Sequence, residues 1–430
     1  MTKVFIAEQE TLLEVQKQVD KLTNNLLPLD KPIYAMVIHE ASDLNPNSRV
    51  EYLGANKNFT PMSMNMSTHA MNYGSWADWS WLKANVPVMC NFDGGIDYYL
   101  NPNDYTKKAD GTDSDVSNVD YAGDAMSVIQ KIYKKEYKVG NDRYVFFCER
   151  KVDEDFKAVG FNVLGKERDY MLIPMFYGSI DANGKMRSIA GQWSCLTASG
   201  NASDNTTGTA IGTAEQYAAI QKASKNGLFF GGALVNTLAD ICVLLSKSTN
   251  SQAAFGYGMC STYVEDKAQH YGTQINTVVG GGQFYGSSDQ KSFNKIFHSC
   301  VMGSYMLWQR DPYMLLKNGR ILVSPDYTYD LTGATYLDTG VDLAANGYYA
   351  TTRVIEDFGS VPTDELVCSS ATGYCDHTWV NATILAVSLR FGGCCDGLRG
   401  GLFARPLNRV AASAWWGYAA SKLLPAPAAA

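Results

Sequence analysis

Ten cysteines and five histidines are the residues of this 430-residue chain best suited to chemistry, and their spacing argues against most of it. Cys90, Cys148, Cys195, Cys242, Cys260, Cys300, Cys368, Cys375, Cys394 and Cys395 contain no Cys-x-x-Cys pair, so the zinc signature is missing. Most sit among apolar neighbours, as in Val-Met-Cys90 and Ile-Cys242-Val, which predicts buried thiols. The adjacent pair Cys394-Cys395 would close a strained ring if oxidised, and neighbouring Cβ vectors normally diverge. His39, His69, His270, His298 and His377 show no ligand spacing and are expected to be hydrogen-bonding groups. The run Val278–Gln283 has three glycines but lacks the Lys-Ser/Thr of a phosphate loop and is expected to be a turn. Gly-x-Ser-x-Gly is absent. Asp104, Asp110, Asp113 and Asp115 miss the EF-hand spacing and are expected in a solvated loop. These residues predict no catalytic group, no metal and no cofactor.

The elements that would position such residues are irregular. Leu12, Val15, Val19, Leu22 and Leu26 form an a/d seam, which predicts a helix over residues 10–27 within an N-terminal segment 1–30. So short a helix needs a partner, either its own domain or a second copy. A β-type run begins at Ile33, and a Tyr73–Trp81 aromatic cluster follows. The polar stretch 101–124 is expected to be a loop or linker, with a boundary near residue 118 between a β-rich module (31–118) and a larger domain (119–424). Tyr144–Cys148, Tyr170–Phe176, Ile321–Val323 and Thr383–Leu389 look like strands; Leu234, Leu238, Ile241 and Leu245 predict a helix ending near Ser246. The tail 425–430 is expected to be a disordered end or a cloning remnant. The class is α+β with few regular elements and long packed loops.

Composition narrows the partners. Charged residues are only 18%, and 26 Tyr, 17 Phe and 8 Trp suit either an adhesive surface or an aromatic core. With a net charge of −7 and no basic run, nucleic-acid binding is not expected. No window approaches the roughly 20 apolar residues of a membrane span, so no membrane insertion is expected. MTKVFIAEQE lacks a signal-peptide core, so synthesis is expected in the cytoplasm, with export by another route such as assembly into a virion.

The C-terminal forty residues have an unusual texture. Gly392, Gly393, Gly400, Gly401, Leu402, Phe403, Leu407, Ala411, Ala414 and Trp416 repeat small and apolar types. Between them stand Cys394, Cys395, Asp396, Leu398, Arg399, Ala404, Arg405, Pro406, Asn408, Arg409, Ser413, Trp415 and Gly417, which share no chemistry. Glycines allow close backbone approach. Buried Leu, Phe and Trp would hold the loops rigid, as a binding surface requires.

This segment resembles the variable region of diversity-generating retroelement target proteins. Gly392-Gly393, Gly400-Gly401-Leu402-Phe403, Leu407-Asn408 and Ala414-Trp415-Trp416 match that family's frame, although Ala419 stands where Gly is usual and Arg409 where a second Asn is common. The stretch YYLNPNDYTKKADGT, Gly184–Ser188 and Tyr374–Trp379 are also similar to such proteins from gut phages and prophages. The resemblance implies a C-terminal C-type-lectin-like fold, related to that of formylglycine-generating enzyme. It further implies a variable region at about 392–421 and a ligand-binding site made of the thirteen interspersed residues. It points to a receptor-binding protein, such as a phage tail-fibre adhesin carried on the virion. Its partner would be a host-cell surface protein or glycan, and the chain would form a homo-oligomer, with a trimer favoured. The alternatives are a formylglycine-generating-type enzyme, which would need the cysteine pair in a peptide groove, and a non-diversified structural protein of a virion or cell surface.

Overall fold

The computed structural model describes residues 31–41, 43–192, 211–262, 279–344, 346–415 and 417–427. The seam Leu12–Leu26, Cys195, His270 and Trp416 lie outside them. Strands dominate, in an α+β arrangement.

Four sheets carry the chain. The largest has seven antiparallel strands in the order Leu228–Phe229, Lys422–Pro425, Tyr170–Pro174, Gly123–Gln130, Pro87–Asn91, Ile96–Asn101 and Asp104–Lys108. A second is ordered Val50–Gly54, Tyr34–His39, Asp142–Cys148, Tyr133–Val139. In the third, Trp308–Lys317 lies between Arg320–Val323 and Ala386–Arg390, with Leu337–Asp342 beyond Arg320–Val323. Tyr418–Ala419 joins it parallel to Trp308–Gln309. The fourth is ordered Gly359–Cys368, Gly347–Ile355, His377–Val380, Arg405–Leu407, the last pair parallel.

The expected boundary near residue 118 does not divide these sheets. Tyr34–His39 pairs with Asp142–Cys148, and Pro87–Asn91 pairs with Gly123–Gln130. A single apolar cluster runs from Met36 to Leu423. The near-continuous apolar run after Lys31 reflects burial on both faces. Met36 and Ile38 enter the main cluster, while Ile33, Ala35 and Val37 pack with Tyr144 and Phe146 on the other side.

The polar stretch 101–124 is not simply a linker. It contributes the edge strand Asp104–Lys108, whose Tyr105 is wholly buried and donates its backbone N–H to Val279 O at 2.6 Å. The expected loose tail also starts inside the fold, because Pro425 pairs with Met171 and Ala426 is buried.

The helix Gly232–Ser246 is enclosed on every face as far as Leu245. Such a helix reads apolar all round. Its three buried polar residues are each engaged. Thr237 donates to Val159 O at 3.1 Å, and Asn236 donates to Phe358 O at 3.0 Å. Asp240 accepts from Lys134 Nζ and Arg143 Nη2, both at 2.6 Å. At Gly160 (φ +88°) the chain passes directly over Leu234, where a Cβ would overlap backbone. No helix of the described residues is long and apolar enough to cross a membrane.

Candidate functional site

The strand Ala386–Arg390 leads into a loop closed on itself by the Phe391–Gly401 bridge. Backbone bonds tie this loop to distant segments. Cys394 N donates to Met306 O, and Gly397 N to Cys260 O, each at 2.9 Å. Thr262 N donates to Cys394 O, also at 2.9 Å. Gly393 N donates to Asp396 Oδ2 at 2.7 Å, and a short 3-10 turn, Gly397–Arg399, follows.

The return of the loop is held from beneath. Asp376, fully buried, accepts the Phe403 N–H at 2.7 Å, and Leu402 N donates to Ser251 Oγ at 3.1 Å. Gly401 (φ +153°) passes against the Asp376 carboxylate with no room for a Cβ. Burial raises the Asp376 carboxyl well above the usual range, against the opposing pull of the Phe403 N–H and Arg405. Arg405–Leu407 then pairs in parallel with His377–Val380. Beyond it, Val387 N reaches Arg409 O at 2.9 Å, Thr213 N reaches Ala411 O at 2.9 Å and Trp308 N reaches Gly417 O at 3.0 Å.

The thirteen expected site residues divide on this framework. Cys395, Leu398, Arg399 and Arg409 are exposed; Asp396, Asn408, Ser413 and Trp415 are half-buried. Cys394, Ala404, Arg405, Pro406 and Gly417 are buried, and of these only Pro406 reaches the surface cavity described below. Arg405 departs furthest from the expectation of an exposed contact. Its guanidinium is sealed inside and donates to Leu402 O, Ala404 O and Asn236 Oδ1 at 2.9–3.1 Å. Burial, and then the neighbouring Arg390, push it well below the usual arginine range. Asn236 also accepts from Arg390 Nη1 at 3.0 Å, which fastens the helix Gly232–Ser246 to the loop. Phe403, expected in the core, is only partly buried and packs on Tyr374 with ring centroids 4.3 Å apart.

Six of the thirteen meet at one shallow cavity of about 160 Å³. Cys395, Asp396, Pro406, Asn408, Arg409 and Trp415 line it, together with Trp308, Trp379, Leu389 and Tyr418. Trp308 and Trp379 stand edge to face at 5.2 Å, and Trp415 and Tyr418 are 5.1 Å apart at 65°. Arg409 donates through Nε to the Tyr418 hydroxyl, and Arg399 lies over the Trp379 ring at 5.6 Å. His377 packs 4.4 Å from Trp379; burial, and then Arg399, lower its pKa to about 4.

Two acids at the rim are perturbed. Burial raises the Asp396 carboxyl to about 6, opposed by the Gly393 N–H and by Arg399. A hydrogen bond from Cys394 lowers the Cys395 thiol, against partial burial. The cysteine pair is split, one thiol enclosed and one outside. Among the described residues no three His, Cys, Asp or Glu side chains gather into a group that could hold a metal ion.

Sequence reasoning missed Trp308, Trp379, Leu389 and Tyr418. Trp379 lies in the quoted Tyr374–Trp379 stretch; Trp308 is brought in only by the parallel pairing of its strand with Tyr418–Ala419. Trp76, Trp79 and Trp81 of the Tyr73–Trp81 aromatic cluster are buried in the core. No protein-family model matches the chain, and no curated protein matches it in sequence.

Proposed function

We propose that the chain is a recognition protein whose C-terminal region presents diversified side chains on a fixed C-type-lectin-like frame. The observation that carries this reading is the division just described. Residues of unrelated chemistry (Cys395, Asp396, Asn408, Arg409, Trp415) gather at one open, aromatic-lined surface, with Arg399 over the Trp379 ring beside it. Of the small and apolar residues between them, Gly400, Gly401, Leu402 and Leu407 are buried, Phe403 and Ala411 are partly buried, and Ala414 is exposed. A surface anchored at so many backbone points loses little conformational entropy on binding, which favours affinity from few contacts.

On this reading the partner is a host-cell surface component, a protein or glycan. The chain would act as a receptor-binding module of a phage or prophage virion, in several copies whose linkage raises avidity. It is not read as an enzyme. The test is to sequence the 392–421 coding region from many genomes of the source population. Variation confined to the interspersed positions, with the buried frame constant, is the expected result. Variation spread evenly over frame and face would refute the reading.

A further inference from the structure

The cavity on this face leaves a particular set of groups unengaged. The Asn408 side-chain amide and the Arg409 Nη2 have no hydrogen-bond partner among the described residues, since Arg409 uses Nε on Tyr418 and Nη1 on Asn408 O. Asp396 spends Oδ2 on Gly393 N–H, and its Oδ1 has only Arg399 at 4.0 Å. Two donor-bearing groups and an acceptor therefore stand around four aromatic rings.

Simple ligand classes fit this set poorly. An organic cation would suit the rings but would meet the Arg409 guanidinium, with Arg399 stacked on Trp379 behind it. A compact anion would suit Arg409 but would face the Asp396 carboxylate. A purely apolar group would cover Asp396 and Asn408 without satisfying them, which costs free energy for each group desolvated. A ring with one C–H face and a rim of hydroxyls satisfies both halves, because each hydroxyl both donates and accepts. The cavity, of about 160 Å³, is small and open to solvent, on the scale of a single ring.

We propose that this cavity is a saccharide subsite that takes a single terminal pyranose, its apolar face against the tryptophans and its hydroxyls on Asp396, Asn408 and Arg409. The proposal rests on reading this surface as the recognition face and names the chemistry it selects. Neutral and acidic sugars share this chemistry; an acidic one would add its carboxylate to Arg409.

The test is saturation-transfer NMR and tryptophan fluorescence on the full chain. The probes are methyl glucoside, methyl galactoside, methyl mannoside and methyl glucuronide, with tetramethylammonium and benzoate as controls. At least one pyranoside is expected to bind, to weaken tenfold or more in Trp379→Ala and in Asn408→Ala, and to be unchanged in Arg353→Ala, which lies away from the cavity. A glucuronide bound in preference to the neutral sugars, with that preference removed by Arg409→Ala, would assign the acidic member; a neutral preference would assign the other. Absence of any pyranoside binding, binding of either control instead, or pyranoside binding indifferent to both cavity variants would overturn the proposal. If cell attachment still depends on Leu398, Arg399 and Arg409 while pyranosides neither bind nor compete, the recognition face stands and the sugar subsite falls.

Discussion

Tryptophan is used in two ways in this chain. Between Tyr73 and Trp81, Trp76 and Trp79 pack against Tyr34, Tyr52 and Phe59 and Trp81 packs on Trp79, with ring centroids 5.0–5.8 Å apart, and all three indoles are at most 3% exposed. Around the C-terminal cavity, Trp308 and Tyr418 are buried and Trp379 and Trp415 partly buried, and this smaller cluster lines an opening shared with charged and amide groups. The first cluster holds the molecule together. The second has the amphipathic character of a binding site. Residue type alone separates neither; what differs is that Trp379 and Trp415 are only partly buried and share an opening with Asp396, Asn408 and Arg409.

The same contrast separates two arginines four positions apart. Arg405 is buried and spends Nη1 and Nη2 inside the protein, whereas Arg409 is exposed and faces outward.

The comparison yields predictions of decreasing size. Trp76→Ala should cost about 3–5 kcal/mol in chemical denaturation, as for other buried aromatics, and Trp379→Ala less than half of that. Equal losses would erase the distinction between the clusters. Arg405→Ala should cost about 2–3 kcal/mol, because Asn236 and two carbonyls lose buried donors, while Arg409→Ala should stay within about 0.5 kcal/mol. A destabilising Arg409→Ala with a neutral Arg405→Ala would invert the assignment.

The third prediction concerns pH. The Asp396 carboxyl titrates near 6 in the folded protein against an ordinary 3.8. Between those values the folded chain binds more protons than the unfolded one, so this group's stabilisation is present at low pH and is lost as pH rises through about 6. Asp396→Asn, which keeps an acceptor for Gly393 N–H, should therefore gain on the parent between pH 4 and pH 7, by up to about 3 kcal/mol. Thermal melts that run parallel over this range would contradict it.

How far this could be read from the sequence depended on whether a local pattern reports burial. The helix Gly232–Ser246 was legible because Leu234, Leu238, Ile241 and Leu245 repeat at helical spacing, and the strand Asp142–Cys148 because its apolar run is buried on both faces. Asp104–Lys108 was not, because a polar edge strand buries only Tyr105 and looks like loop. At the site, the alternation of frame and unlike residues located the loop. Which unlike residues face outward depends on partners far away in the chain. Arg405 is turned inward by Asn236, 169 positions earlier. Trp308 and Tyr418 are joined by a parallel pairing that no local spacing announces.

The central claim is that stability and recognition reside in different residues of the same loop. Its most direct measurement replaces Cys395, Leu398, Arg399, Asn408, Arg409 and Trp415 together with the residues of a sister sequence, then records melting temperature and attachment to a panel of host cells. The account predicts a melting temperature within a few degrees of the parent and a changed host preference. An unchanged preference in a folded variant would contradict it.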